Sequence, residues 1–131
     1  MRLIELVLNP DPPLEEMANL FKTETGLDYP LWVGKVGGQH GPRVKVSNIR
    51  GKMSMNNNFV VSVDPNPEVI TPQTCNIDQN DVDKVKKWIS INYDDLMTLW
   101  WMFEHGAIEV KDVDTGKIIK YDDILYGFKK V

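Results

Sequence analysis

The sequence predicts an α+β fold in which a mainly antiparallel sheet is packed by an N-terminal helix and by a long helix in the last third of the chain. Short runs of alternating or branched apolar residues in the first half are typical of strands. A longer apolar pattern at helical spacing follows them. Because 131 residues fit one domain, we expect residues 1–131 to form a single α+β domain.

The N-terminal half contains the predicted strands and the first predicted helix. Each strand candidate is rich in branched side chains and ends at Gly, Pro, Asn or Asp, which disfavour a continuing strand. These candidates lie at residues 3–8, 30–36, 43–47 and 59–63. Between the first two, apolar residues recur at helical intervals and predict a helix over residues 12–25 that ends at Gly26.

The C-terminal third begins with the clearest helical pattern. Asp78 is a suitable N-cap, and apolar residues then recur at intervals of three, four or seven up to Phe103. This pattern predicts a long amphipathic helix that ends near Gly106, with a break at residues 92–95 as the open alternative. A hairpin that turns at residues 114–116 and a short helix within residues 122–131 are predicted to follow.

Composition restricts the setting in which the chain works. The single cysteine, Cys75, has no partner for an internal disulfide, which favours a reducing compartment. The N-terminal residues lack the pattern of a signal peptide, and no window approaches 18 apolar residues. We therefore expect a cytoplasmic protein without a membrane segment. The sequence indicates no cofactor and no metal site.

Charge is distributed unevenly along the chain. Residues 29–63 contain no Asp or Glu and five Lys or Arg, so this segment carries +5 and the rest carries −9 of the net −4. Cations among Gly-rich loops suit an anionic partner. We expect this segment to bind an acidic protein or a protein–nucleic acid complex, although solvated strand faces also carry such cations. The candidate partner-binding residues are Lys35, His40, Arg43, Lys45, Arg50 and Lys52.

Two other functions stay open beside this binding role. The acids outside the segment cluster at residues 78–83, 94–95, 109–114 and 122–123, and such a surface could imitate nucleic acid and block a host defence nuclease. A hydrolase or transferase that uses His40 or Cys75 is the third hypothesis. The sequence does not identify the orienting group that such a nucleophilic site needs, so we predict a non-enzymatic binding protein.

A second apolar stripe on the long helix is a candidate for self-association. Trp88, Met97 and Trp101 lie to one side of the main stripe, and aromatic residues and Met are enriched at the centres of interfaces. A homodimer is therefore one expectation. Packing of these residues against the rest of the same chain is the alternative.

Two segments together resemble a family of small bacterial and phage domains of unknown function. The first is His40-Gly41-Pro42-Arg43-Val44-Lys45-Val46. The second is a helix with Trp88, Asn92, Leu96 and Trp100, which matches the family pattern Trp-x-x-x-Asn-x-x-x-Leu-x-x-x-Trp. The resemblance covers about residues 40–104. Arg43 and Lys45 stand where the family has His, so no histidine-dependent role is implied. The resemblance implies an α+β fold and a phage setting, in which a role in host defence or its inhibition is conceivable.

Overall fold

The computed structural model describes residues 4–6, 17–34 and 41–131. The strands are β1 (Ile4–Leu6), β2 (Met17–Leu20), β3 (Leu31–Gly34), β4 (Arg43–Ser47), β5 (Asn58–Ser62), β6 (Glu109–Asp112) and β7 (Ile118–Lys120). The α-helices are α1 (Lys22–Thr25), α2 (Gln79–Ile91), α3 (Tyr93–His105) and α4 (Tyr121–Leu125), and Pro72–Thr74 forms a 3-10 turn. The α+β class predicted from the sequence is confirmed.

The larger sheet contains four antiparallel strands in the order β2-β3-β4-β5. Alternation along β4 places Val44 and Val46 on the same side, as the sequence predicted, and both are fully buried. The neighbouring strands add further buried side chains to this inner face. They are Ala18, Leu20, Leu31, Val33, Phe59 and Val61. One face of the sheet therefore forms a continuous wall of the core.

The helical layer that packs against the larger sheet is a pair of helices rather than one long helix. α2 ends and α3 begins around Asn92, whose ψ of 17° lies outside the α-helical range, so the break that the sequence left open is present. Asp78 occupies the predicted N-cap position of α2, but its side chain makes no capping hydrogen bond. Both helices contribute fully buried side chains to the core that the inner face borders, among them Trp88, Leu96 and Leu99.

The prediction of an N-terminal helix over residues 12–25 is wrong for residues 17–20 and is confirmed only for residues 22–25. Residues 17–20 form strand β2, which pairs antiparallel with β3, and only Lys22–Thr25 is helical. Ala18 and Leu20 face the core while Asn19 is exposed, so the segment alternates like a strand. Pairing with β3 decides the outcome over the helical spacing of the apolar residues. Where the structure describes it, the predicted N-terminal helix is thus replaced by a strand of the sheet and a single helical turn, and residues 12–16 lie outside the described residues.

The smaller sheet contains three antiparallel strands in the order β1-β6-β7. The predicted hairpin is confirmed, because Val110 pairs with Ile119 and Lys111 pairs with Ile118. Val110 and Ile119 belong to the same core cluster as the larger sheet. The predicted short C-terminal helix is α4. None of the described helices has the length and apolar character needed to cross a membrane.

Candidate partner-binding surface

The candidate surface is the side of the larger sheet that faces away from the core. Because Val44 and Val46 point into the core, the alternate residues of β4, Arg43, Lys45 and Ser47, point to the opposite side, which we call the outer face. Neighbouring strands add residues of the same register to it. The members of the outer face on the four strands are Asn19, Trp32, Arg43, Lys45, Ser47, Asn58, Val60 and Ser62. Among these strand residues there is no carboxylate, and the exposed Glu68 lies beside Ser62 on the segment that pairs with β5.

Arg43 and Lys45 are the two predicted site residues that the structure brings together on this face. They lie two positions apart on β4, which corresponds to about 7 Å along a strand. Lys45 is exposed and Arg43 is half-buried. Neither side chain forms an ion pair with a residue that the structure describes. Within the described part of the chain, both charges are therefore unpaired.

Trp32 supports the side chain of Lys45. The two residues are cross-strand partners, and the Lys45 ammonium lies 5.5 Å from the centroid of the indole ring. Such a cation–π contact restricts the long lysine side chain without neutralising it. Trp32 is only 5% exposed and does not belong to the main core cluster. It is therefore a support beneath Lys45 and not a platform on which a base could stack.

Arg50 is engaged within the protein and is not a free cation. Its guanidinium lies 2.8 Å from a carboxylate oxygen of Asp28 and 5.3 Å from the centroid of the Tyr29 ring. The second oxygen of Asp28 accepts a 2.8 Å hydrogen bond from Lys22. This bond from Lys22, together with the charges of Lys22 and Arg50, lowers the pKa of Asp28 below its ordinary value. Arg50 therefore stays a predicted partner-binding residue, with its charge shared with Asp28 in this structure.

Lys52 lies on the loop that follows β4. The hydroxyl of Ser47 donates 2.6 Å and 3.3 Å hydrogen bonds to the carbonyls of Lys52 and Ile49, which fasten this loop to the end of the strand. The Lys52 side chain is exposed. Lys35 and His40, the remaining two candidates, lie outside the described residues.

Acids that are distant in sequence meet around a separate cleft. Asp95 at the start of α3, Asp112 at the end of β6 and Asp123 in α4 line a cleft of about 320 Å³, together with Lys117 and three isoleucines. The Asp112 carboxylate accepts hydrogen bonds from the backbone amides of residues 114 and 115, so it also forms the hairpin turn. The sequence showed these acids only as separate clusters, and the fold brings three of those clusters together.

The structure corrects one residue of the predicted self-association stripe. Trp88 is fully buried, and its ring centroid lies 5.1 Å from that of Phe128. It therefore cannot contact a second copy of the folded chain. Met97 and Trp101 are partly buried against the core, and the Trp101 ring stacks on His105 at a centroid distance of 4.1 Å. Self-association through these two residues stays a prediction.

Of the two residues considered for catalysis, Cys75 is described and His40 is not, and the one described histidine is His105. Cys75 follows the 3-10 turn and is partly buried against the core. His105 lies at the end of α3, where its Nδ1 is 3.0 Å from the carbonyl oxygen of Trp101. The part of the chain that the structure describes contains no group of three or more His, Cys, Asp and Glu side chains arranged to hold a metal ion.

The helical motif that carries the family resemblance has structural roles in this fold. Trp88 and Leu96 are fully buried, one on each side of the helix break. Asn92 is 2% exposed, and its side chain joins the break to the C-terminal segment. The indole nitrogens of Trp88 and Trp100 are buried without a hydrogen-bond partner among the described groups. This motif therefore builds the core and the break rather than the outer face.

Comparison with known protein families, curated protein sequences and solved structures finds no match to this chain. The resemblance drawn from the sequence therefore stays a prediction.

Proposed function

We propose that this chain is a small binding protein that engages an acidic partner through the outer face of its four-stranded sheet. The observation that supports this is the position of Arg43 and Lys45. They are two cations on the same side of one strand, and the residues of the four strands that share this face include no acid. An acidic protein or a protein–nucleic acid complex presents the negative charge that such a face attracts.

The surroundings of the two cations favour recognition of an anion. Asn19, Asn58 and Ser62 lie on the same face and add uncharged hydrogen-bonding groups that do not compete for the cations. Lys45 is positioned by Trp32, so a bound anion restricts the lysine less than it would restrict a free side chain. Exposed aromatic rings for base stacking are not part of this arrangement. The contacts it offers are therefore to backbone phosphates or carboxylates.

The test is a binding titration of the double variant Arg43→Ala/Lys45→Ala against two fluorescent probes, a short DNA duplex and a poly-glutamate peptide. We expect weaker binding to at least one probe at low salt, because two charge-assisted contacts are lost. If the duplex is the ligand, the slope of log affinity against log salt should fall by about 2. The probe that responds identifies whether phosphate or carboxylate is recognised.

The matched control is Lys87→Ala/Lys117→Ala, which removes the same charge from two exposed sites on α2 and on the hairpin turn. This variant should bind like the wild type, since neither residue belongs to the outer face. Equal losses in the two variants would mean that only net charge matters. Wild-type affinity in Arg43→Ala/Lys45→Ala would exclude the outer face as the binding surface.

The acidic cleft supports a second candidate, an inhibitor that imitates nucleic acid and blocks a host defence nuclease. The supporting observation is that Asp95, Asp112 and Asp123 line one cleft. A poly-lysine probe added to the same titration separates the two candidates. Binding of poly-lysine that is lost in Asp112→Asn/Asp123→Asn, without binding of either acidic probe, would favour the inhibitor.

A further inference from the structure

The last residues of the chain, 127–131, form a segment that we call the C-terminal strap, and its first attachment is at the helix break. The Asn92 side chain donates 2.9 Å hydrogen bonds to the carbonyls of Trp88 and Lys129, and it accepts a 2.8 Å bond from the Lys129 amide. Phe128 packs on Trp88 immediately before this point. A buried amide side chain and an aromatic contact thus fix the strap where α2 and α3 meet.

The other end of the strap is attached to the end of α1. The Val131 amide donates a 3.0 Å hydrogen bond to the carbonyl of Thr25, which is fully buried. The next residue, Gly26, has a φ of +78°, and a β-carbon at this position would lie 2.5 Å from the Val131 carbonyl oxygen. The strap therefore packs directly against the turn that leads from α1 to β3, and this turn has no room for a methyl group.

The same turn holds the loop that carries Arg50 and Lys52. The Thr25 hydroxyl accepts a 2.9 Å bond from the Leu27 amide, which shapes the turn. The Asp28 carbonyl then accepts a 2.9 Å bond from the Gly51 amide, and the Asp28 carboxylate binds Arg50. A continuous set of contacts therefore runs from Asn92 through the strap and residues 25–28 to residues 48–52.

We propose that the C-terminal strap is a latch that holds the loop of residues 48–52 against Asp28. While the strap is fastened, Arg50 stays paired with Asp28. Release of the strap loosens residues 25–28 and makes Arg50 available beside the outer face. The effect of Arg50 on partner binding rests on the proposed function, whereas the latch itself is a property of the free protein.

The latch is tested by hydrogen exchange, measured by mass spectrometry, on the variant Asn92→Ala without any partner. Both side-chain hydrogen bonds that hold Lys129 of the strap are lost, so exchange in residues 21–29 and 48–52 should become faster by at least about tenfold. Exchange in the β6–β7 hairpin should not change, because the hairpin lies outside this set of contacts. Gly26→Ala, which displaces the strap from its other end, should give the same selective increase and serves if Asn92→Ala does not fold.

Gly106→Ala is the control, because its β-carbon meets nothing within 4 Å while its φ of +61° is strained for alanine. This variant should make hydrogen exchange faster, but the increase should not be concentrated in residues 21–29 and 48–52. A uniform increase over the whole chain in both strap variants, or no increase in residues 48–52, would overturn the latch. Because no partner is present, this outcome is independent of whether the outer face binds an anion.

Discussion

The packing of the C-terminal strap can be measured by comparing Gly26→Ala with Gly106→Ala. Both glycines follow a helix and have left-handed φ values, +78° and +61°. A β-carbon at Gly26 would lie 2.5 Å from the oxygen and 3.1 Å from the nitrogen of Val131, whereas a β-carbon at Gly106 would meet no atom within 4 Å. The two substitutions therefore share the backbone strain, and only Gly26→Ala displaces the strap.

The expected loss in the free energy of unfolding of each variant follows from these contacts. Alanine in a left-handed conformation costs about 1 kcal/mol relative to glycine, which is the whole expected effect for Gly106→Ala. At Gly26 the displaced strap also loses the hydrogen bond from Val131 to Thr25, worth about 1 kcal/mol. Partial exposure of Phe128, which is 7% exposed in the native state, adds about 1 kcal/mol. We expect a total near 3 kcal/mol for Gly26→Ala.

Urea denaturation followed by far-ultraviolet circular dichroism gives both free energies of unfolding. The midpoint should fall further for Gly26→Ala than for Gly106→Ala, with equal m values because the unfolded chains are equivalent. Agreement of the two free energies within about 0.5 kcal/mol would refute the close packing of the strap on Gly26. A larger loss for Gly106→Ala would refute it as well.

Two further predictions concern Asp28 and the self-association stripe. The pKa of Asp28 is lowered in the folded state from an ordinary value of 3.8, so its ion pairs stabilise the fold above that pH and are lost as the pH falls through the lowered pKa. Asp28→Asn should therefore lower the Tm at about pH 7 in a salt-sensitive way, and its difference from the wild type should shrink as the pH falls through the range in which Asp28 becomes protonated. A difference that does not shrink in acid would contradict this. If Met97 and Trp101 drive self-association, sedimentation velocity should detect a dimer that Met97→Lys/Trp101→Lys converts to monomer. A monomeric wild type at high concentration would exclude that role.

Strands in which the sequence pattern has one solution were predicted well. The alternation of cations and valines in residues 43–47 fits only a half-buried strand, and β4 has the same bounds. Residues 17–20 show the opposite case, because Met-Ala-Asn-Leu agrees with helical spacing and also with strand alternation. Which pattern prevails depends on pairing with β3, and that partner lies beyond any local window. The sequence alone therefore could not decide whether residues 17–20 form a helix or a strand.

The helix break was visible in the sequence as an interruption, but its cause was not. The residues that interrupt the stripe include Asn92, and only the fold shows that its side chain binds the backbone of Lys129, 37 residues later. A hydrogen bond over such a separation leaves no periodic signal. For the same reason Trp88 looked like part of a surface stripe, although Phe128 covers it in the structure.

The positive charge of the candidate site could be predicted from the sequence only in part. Charges can be counted along a segment, whereas ion pairing depends on which residues the fold brings together. The acid-free segment begins at Tyr29, and the carboxylate that pairs with Arg50 belongs to Asp28, the residue immediately before it. Counting charges within the segment therefore overestimated its free positive charge. Arg43 and Lys45 were predicted correctly as neighbours because two positions on one strand necessarily share a face.

The number of unpaired cations on the outer face limits how strongly salt can weaken its binding to an anionic partner. If Arg43 and Lys45 alone contacted phosphates, affinity would fall only about tenfold between 50 and 200 mM salt, since each contact contributes about 0.9 to the salt slope. Adding Arg50, once released from Asp28, would raise this loss to about fortyfold. The salt dependence of Asn92→Ala should therefore exceed that of the wild type if the latch regulates binding. Equal slopes, despite faster exchange in residues 48–52, would mean that the strap holds the fold together and that Arg50 takes no part in recognition.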